Sequence, residues 1–522
     1  MPTPDDDPSS PAGAAWPRGS ATPERALALG LAVALVILRS AVFVFSDAVF
    51  DSDQAIVGLM TKHLAEGRAI PVLYYGLDYL LGIEAWLAAP LFWFFGASVM
   101  ALKLPLLGIN VALAVLLIVL MERELGLRPL IGLLVAMPFV LAPPGTTNYF
   151  LEANGGQSEP LLVALLLWVT RRRPLTFGMV LAFGYLHRVF AAYALAALVL
   201  VELLDRSLLT VTGIQRKLKA AVGFTAVWQL VAMVRLQAGT AWGPATSDAY
   251  PGMGEPGVKA MTLDIGVVLE RFCFNAATVP QALADFAGPF LSSMFGGHRE
   301  SLVGLSIPSA GTQGVDGLWL LFGGTLLVAL GRVVWGMTHG GLRPWQPRLQ
   351  FATYLLLTGA ISSAAYVVSQ CGRISPATMR YTLLTVLGVV GLLAYFAAVE
   401  RRRLLRVATL GVVAVWAVAA LWGHVQLLTE FLRNPPVNNR QVLADYLVAN
   451  DIKYGYADYW DVYSTVFFAN EQVLLASTSV AFIQEYEWVV QNHRDEAVWI
   501  LREPCDGGTR VTEAHYVCPP RP

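Results

Sequence analysis

Charge is what this chain of 522 residues has least of: Asp, Glu, Lys and Arg together make up 14% of it, against 56% hydrophobic residues. Soluble domains carry about 25% charged residues, and with a mean hydropathy of +0.56 the composition implies a polytopic membrane protein. Lysine is the rarest cation, six residues against thirty arginines, a bias that hints at a GC-rich bacterial source and an inner (plasma) membrane. No long basic tract occurs, and the net charge is -1. Nucleic-acid partners, whose binding rests on clustered Lys and Arg, are set aside. Met1 to Ser20 lacks the basic start, apolar stretch and small-residue cleavage site of a secretory signal. The segment 1–25 is expected to be a short disordered cytoplasmic tail. There are only four cysteines. Cys505 and Cys518 are close enough in sequence to staple a hairpin in an oxidising compartment. Cys273 and Cys371 read as small apolar residues, with a second pairing as the alternative.

What is present in abundance is long apolar runs. Stretches near 26–46, 100–120, 129–143, 157–170, 175–187, 189–204, 217–237, 316–336, 351–370, 381–399 and 406–425 predict about eleven transmembrane helices. Basic residues cluster in four short loops: Arg171, Arg172 and Arg173; Arg206, Arg216, Lys217 and Lys219; Arg343 and Arg348; Arg401, Arg402, Arg403 and Arg406. Eleven spans put all four on one side, which the positive-inside rule makes cytoplasmic. A transmembrane domain over 26–426 then has its outer loops at 47–99 and 239–315. The segment 427–522 follows outside, reading as a small α/β domain: helix near Arg440 to Val448, strand near Lys453 to Ala457, helix near Tyr459 to Phe468, strand near Val473 to Ala476, then a further helix and hairpin.

The informative run is Phe50-Asp51-Ser52-Asp53-Gln54, directly after the first span. Carboxylates at the end of a spanning helix that face a polar cavity are candidates for function. From Gln54 to Glu66, apolar Ile56, Leu59, Met60 and Leu64 recur at helical spacing, which predicts a helix lying flat on the outer membrane face. Capping accounts for Asp51, since Asp51 and Gln54 approximate a capping box. Asp53 is left for catalysis, with stabilisation by the helix dipole as the alternative. A carboxylate within hydrogen-bond reach of a hydroxyl can take its proton, and fixed cations can stabilise negative charge as it develops. Arg380 is the first choice for that cation and Lys103 the second, with Arg188 and Arg373 also in play. Each could instead snorkel to lipid headgroups. His187, next to Arg188, could line a polar cavity or be a buried, hydrogen-bonded histidine. Asp51 and Asp53 also invite a divalent metal, but two carboxylates supply few ligands and no metal or cofactor is expected. Gly252-Met253-Gly254-Glu255-Pro256-Gly257 spells a dinucleotide fingerprint without the strand or helix it needs, and reads as a loop. Trp242, Tyr250 and Trp319 could stack on a sugar, although interfacial anchoring is the simpler role.

Downstream come Tyr74-Tyr75-Gly76-Leu77-Asp78-Tyr79, Gly82-Ile83-Glu84-Ala85-Trp86-Leu87-Ala88-Ala89-Pro90 and Lys103-Leu104-Pro105. With the acidic loop before them, Gly155-Gly156-Gln157-Ser158-Glu159-Pro160, Arg380-Tyr381 and Tyr456-Ala457-Asp458-Tyr459-Trp460, they make a chain that resembles the GT-C membrane glycosyltransferases. The branch of protein O-mannosyltransferases and aminoarabinose transferases is the most similar. The resemblance implies transfer of a sugar from a polyprenyl-phosphate carrier to an acceptor hydroxyl of a lipid, glycan or protein outside the membrane, with inversion. It implies that Asp53 is the catalytic acidic residue and that Glu159, with Glu152 as competitor, is the acid of the second loop. The family usually has a Glu next to the catalytic acid, where this chain has Gln54. Asp51, Tyr75, Asp78, Tyr79, Glu84, Lys103, His187, Arg188, Arg380 and Tyr381 are the expected substrate-binding residues. A transporter or flippase for a lipid-linked sugar and a non-catalytic assembly protein of the same fold are the competing readings. The first would call for internal repeats, and no convincing repeat is visible.

Overall fold

Thr22 caps the first helix by accepting the Arg25 N–H, and Pro23 takes the first helical position, where a missing N–H costs nothing. The resulting α1, Pro23–Phe45, has 23 residues, about 35 Å at a rise of ~1.5 Å per residue, enough for a hydrocarbon core of ~30 Å. The computed structural model describes residues 22–77, 80–238, 274–297, 316–339, 346–370 and 374–520.

Between α1 and the next long helix stand α2 (Ser52–Ala65) and α3 (Ile83–Phe95), followed by α4 (Val99–Leu125), α5 (Pro129–Val140), α6 (Pro144–Phe150), α7 (Glu159–Thr170), α8 (Pro174–His187), α9 (Ala191–Leu204) and α10 (Val211–Ala238). Two short helices, α11 (Val279–Asp285) and α12 (Leu291–Phe295), precede α13 (Gly317–His339), α14 (Gln350–Ser369), α15 (Thr385–Val399) and α16 (Arg403–Arg433). Each apolar stretch expected to span coincides with a helix. This is a multi-pass membrane protein. By length and composition six of the described helices can cross a membrane, or seven when α5 and α6, bent by 85° at a short break, count as one. Helices α7, α8, α9 and α15 are shorter, at 12, 14, 14 and 15 residues.

Ion pairs mark one end of the bundle: Arg128 with Glu24 at 2.9 Å, Arg25 with Glu122 at 3.4 Å and Arg171 with Glu124 at 2.9 Å. They join the start of α1 to the end of α4 and the start of α5, and the end of α4 to the end of α7. Midway, the break at Pro143 and Pro144 frees carbonyls that must find donors inside the bundle. Arg39 Nη1 donates to the Phe139 carbonyl, Thr147 Oγ1 donates to that of Ala142 at 2.8 Å, and His424 Nε2 lies 2.8 Å from the same oxygen. Arg39 Nη2 also donates to Asn110 Oδ1 at 2.6 Å, and Asn110 Nδ2 reaches the Phe150 carbonyl at 3.1 Å and Ser158 Oγ at 3.0 Å. This wholly buried chain of polar contacts ties α1, α4, the break and the turn into α7 at one level.

The α2 helix departs from the flat, half-exposed helix expected. Every residue from Gln54 to His63 is buried, because the C-terminal domain lies on top of it and α3 alongside. That domain comprises α17 (Asn439–Ala449), α18 (Tyr459–Phe468) and α19 (Gln484–Asn492) with strands β1 (Tyr454–Ala457), β2 (Leu474–Ser477), β3 (Val498–Leu501), β4 (Thr509–Arg510) and β5 (Tyr516–Cys518). The sheet order is β2-β1-β3-β5-β4, with β2, β1 and β3 parallel and β5 antiparallel to both of its neighbours. Cys505 and Cys518 are joined by a disulfide with Cα atoms 6.1 Å apart, across the closing hairpin. Cys273 and Cys371 lie outside the described residues.

One hydrophobic core runs through α2 and the C-terminal domain. Gly58 is needed where α18 crosses, since a Cβ there would stand 2.7 Å from the Phe467 ring, and Phe50 packs on Phe467 and Phe468 at 5.1 and 5.4 Å. Beside this core sits a polar latch. Glu471 lies 2.5 Å from Lys62 Nζ and 2.9 Å from His63 Nε2, pairs with Arg68, and accepts from the Tyr486 hydroxyl at 2.7 Å. Although burial opposes it, His63, Arg68 and Lys62 hold the Glu471 carboxyl far below the usual carboxylate range. Asn470 and Glu471 both have positive φ, 51° and 62°, a conformation that costs a non-glycine residue energy and that the latch holds in place.

Candidate active site

Asp53 sits in the first turn of α2, just past its capping residue. The Asp51 side chain accepts the Gln54 N–H at 3.1 Å, and Gln54 Nε2 donates to the Val49 carbonyl at 2.7 Å, so Gln54 fixes the turn that delivers the two acids. Both Asp53 oxygens are engaged: Arg380 Nη1 donates to Oδ2 at 3.1 Å, and the Tyr459 hydroxyl donates to Oδ1. The Tyr74 hydroxyl holds the Asp53 carbonyl at 2.7 Å. Side chains of Asp53 and Arg380 are 20% and 29% exposed, so the pair is reachable from outside the protein.

Three further charged groups share this field. Asp51 is pushed up, first by burial and then by Asp53, against the Gln54 N–H, Arg440 and Arg380. Glu152 accepts from Asn148 at 2.9 Å and Asn154 at 3.2 Å. Burial and Asp51 lift it to about 7, opposed by Arg380 and Lys103. Lys103, wholly buried near the start of α4, donates to the Phe43 carbonyl at 3.2 Å at the end of α1. Arg380 closes a short 3-10 turn, Pro376–Tyr381, and stands 5.3 Å from the Tyr381 ring. Burial works against its charge, but Tyr381, Asp53 and Glu152 together raise it above the ordinary arginine value. Asp53, Arg380, Tyr381, Asp51 and Lys103 are thus brought together.

Other candidate residues are occupied elsewhere. Glu84 accepts the N–H groups of Gly155 at 2.7 Å and Gly156 at 2.8 Å, whose φ values of +89° and +98° only glycine adopts easily. A Cβ on Gly156 would run into His187. Burial and the Glu159 carboxylate hold Glu84 well above the carboxylate range, which places Glu159 beside Glu84. The acid in the field of Asp53 is Glu152, the competitor. His187 Nδ1 lies 3.1 Å from the Leu81 carbonyl, and Arg188 donates to the carbonyls of Gly155 and Asn154. Together these four residues build and brace the glycine loop. Tyr75 lies 3.1 Å from His63 Nδ1 and belongs to the latch. Trp319 is buried against Phe295 at 6.2 Å, in packing contact. Asp78, Tyr79, Trp242, Tyr250, Arg373 and the 252–257 loop lie outside the described residues.

Tyr459 and Tyr74 were not among the expected site residues. Tyr459 does stand in the quoted Tyr456–Trp460 run, yet nothing in one sequence tells that a residue 406 positions away touches Asp53. Among the described residues no three His, Cys, Asp or Glu side chains gather as metal ligands.

A bundle of apolar helices with a partly exposed acid–arginine pair at one end, under a small α/β domain, has the GT-C fold. Solved structures of ArnT, the aminoarabinose transferase of Cupriavidus metallidurans, have the same fold. The form bound to undecaprenyl phosphate aligns with a TM-score of 0.55 at 13% identity over 94% of this chain and 96% of that one. The apo form aligns at 0.52 and 12% identity over 94% and 97%. No protein-family pattern matches the chain, and no curated protein matches its sequence.

Proposed function

We propose that the protein is an inverting glycosyltransferase that moves a sugar from a polyprenyl-phosphate carrier to an acceptor hydroxyl at the outer face of a bacterial inner membrane. The observation that carries this reading is the pairing of Asp53 with Arg380, partly exposed at the end of the bundle opposite the Arg128–Glu24 and Arg25–Glu122 pairs. The fold shared with ArnT, one form of which holds undecaprenyl phosphate, agrees with it.

The acceptor oxygen attacks the anomeric carbon from the face opposite the carrier phosphate, its proton passes to Asp53, and the carbon–oxygen bond to the phosphate breaks. Asp53 is useful as base only with a free oxygen, and an arriving phosphate competes with it for Arg380. Donor binding would draw the guanidinium from Oδ2 to the phosphate and release that oxygen for the acceptor. Arg380 then meets the charge that develops on the leaving phosphate, with buried Lys103 adding positive field behind it. The donor brings one phosphate and these two cations answer it, so no resident cofactor enters the scheme. Positive-inside counting orients the N-terminus to the cytoplasm and the C-terminal domain outside.

The test is mass spectrometry of surface lipids and glycans from cells lacking the gene, complemented with wild type or with Asp53→Asn. A sugar-bearing species restored only by wild type supports the reading and names donor and acceptor together. Restoration by both sinks it. Transport of labelled lipid-linked sugar across proteoliposomes without a new glycosidic bond would favour a flippase.

A further inference from the structure

Asp53 and Tyr459 belong to separate parts of the molecule, yet the first turns of their helices meet. Asp53 is the second residue of α2 and Tyr459 the first of α18, whose Asp458 cap accepts the Trp460 N–H at 3.1 Å. The Tyr459 ring is 9% exposed and is walled by Tyr463 at 5.8 Å, Phe482 at 5.4 Å and Trp460 at 5.1 Å. Phe482 also packs edge-on against Tyr74 at 6.2 Å, the residue that holds the Asp53 carbonyl. The ring cannot swing away without unpacking this aromatic cluster, and the Phe467–Gly58 contact and Glu471 latch fix the domain that carries it. Its hydroxyl is therefore presented to Asp53 Oδ1 by rigid elements on both sides, as a group that must sit within tight geometric limits requires.

We propose that Tyr459 is a positioning residue for the transfer reaction, and that through it the C-terminal domain is a working wall of the active site. The inference rests on the proposed role of Asp53 as base. A carboxylate paired only with Arg380 can pivot about its own side-chain torsion when the guanidinium turns to the donor phosphate. Tyr459 holds the second oxygen through that exchange, so Oδ2 is freed in place. The other charged and titratable groups facing Asp53 are Asp51 from the α2 cap, Glu152 from the glycine loop, Arg380 from the 3-10 turn and Tyr74 from the loop after α2. None of them duplicates this contact with Oδ1.

The test uses the full chain in proteoliposomes with a polyprenyl-phosphate sugar and membrane-lipid acceptor, comparing wild type, Tyr459→Phe and Asp53→Asn. Tyr459→Phe should lower kcat by on the order of 10- to 100-fold, the loss expected for one hydrogen bond to a charged group, with donor KM within about twofold because the donor touches Arg380. The acid limb of kcat/KM should move to higher pH, since a hydrogen bond that favours the ionised carboxylate has gone. A purely structural role would leave that limb in place. Replacing Tyr459 with 3-fluorotyrosine keeps the shape and strengthens the donor, so the limb should move the opposite way. This second variant decides the matter if Tyr459→Phe does not fold. Wild-type kcat and pH profile in both variants would overturn the proposal. Turnover in Asp53→Asn would instead overturn the assignment of the base.

Discussion

At the end of the bundle where α1 begins, acids and bases meet in partly exposed pairs: Glu24 with Arg128, Glu122 with Arg25, Glu124 with Arg171. At the end where α1 stops, Asp51, Asp53 and Glu152 share two cations, Arg380 and Lys103, and most of these groups are buried. Pairs of the first kind contribute little, because water screens them and flexible side chains must be ordered. Charges of the second kind cost energy to bury and are retained only where something else is gained. The same residue types thus meet as screened pairs at one end and as a buried, shared cluster at the other.

The comparison breaks most sharply at Asp53. Asp53→Asn keeps the shape and removes the base, and turnover should fall by roughly 10² to 10⁴ while equilibrium binding of a labelled polyprenyl-phosphate sugar survives. Retained turnover in folded protein would put Asp53 in the same class as Glu24. Next comes Arg380→Gln, with an expected loss of about 10² to 10³ in kcat, the range seen when one donor to a developing anion is removed. Arg380→Lys should recover only part, because a point charge does not replace a planar fork.

Glu152 sharpens the contrast through pH. Its folded value of about 7 lies above the ordinary 4.5, so the folded protein holds a proton that the unfolded chain gives up. Stability from this group is present below about 4.5 and is lost as pH rises towards 7. Thermal unfolding in detergent at about pH 5 and pH 8 should show that loss, on the order of 1 to 3 kcal/mol, and Glu152→Gln should reduce it, leaving the share of Glu487, which burial also lifts to about 7. At the bottom of the scale stands Arg128→Ala, whose side chain is 73% exposed. It should leave the thermal midpoint and turnover nearly unchanged, because water screens so exposed a pair, and a large loss of activity would erase the distinction between the two ends.

How much was legible in the sequence follows from the range of the forces involved. Hydropathy is local and additive along a helix, so the apolar stretches could be placed to within a few residues. The α18 strand-and-helix neighbourhood was equally plain, since Tyr459–Phe468 was expected at the bounds observed. The capping role of Asp51 was visible because the Gln54 N–H lies three residues on. What could not be read was tertiary: the burial of α2 depends on a domain that begins hundreds of residues later and covers even its polar Gln54 and Lys62. Glu84, His187 and Arg188 looked like ligands for substrate because the backbone they support, Gly155 and Gly156, carries no side-chain signal of its own. Between Glu152 and Glu159 the sequence left the choice open, and only the turn of the loop separates them.

The covering of α2 by the C-terminal domain also sets an order of assembly. Ribosomal synthesis delivers Asp53 first and Tyr459 only after α16 has emerged, so a nascent protein with its helices already inserted still presents an uncovered, acid-bearing apolar helix. Until the C-terminal domain has folded over it, such a molecule is a natural client for chaperones or proteases. Quality control of this protein would therefore act late, after membrane integration is complete.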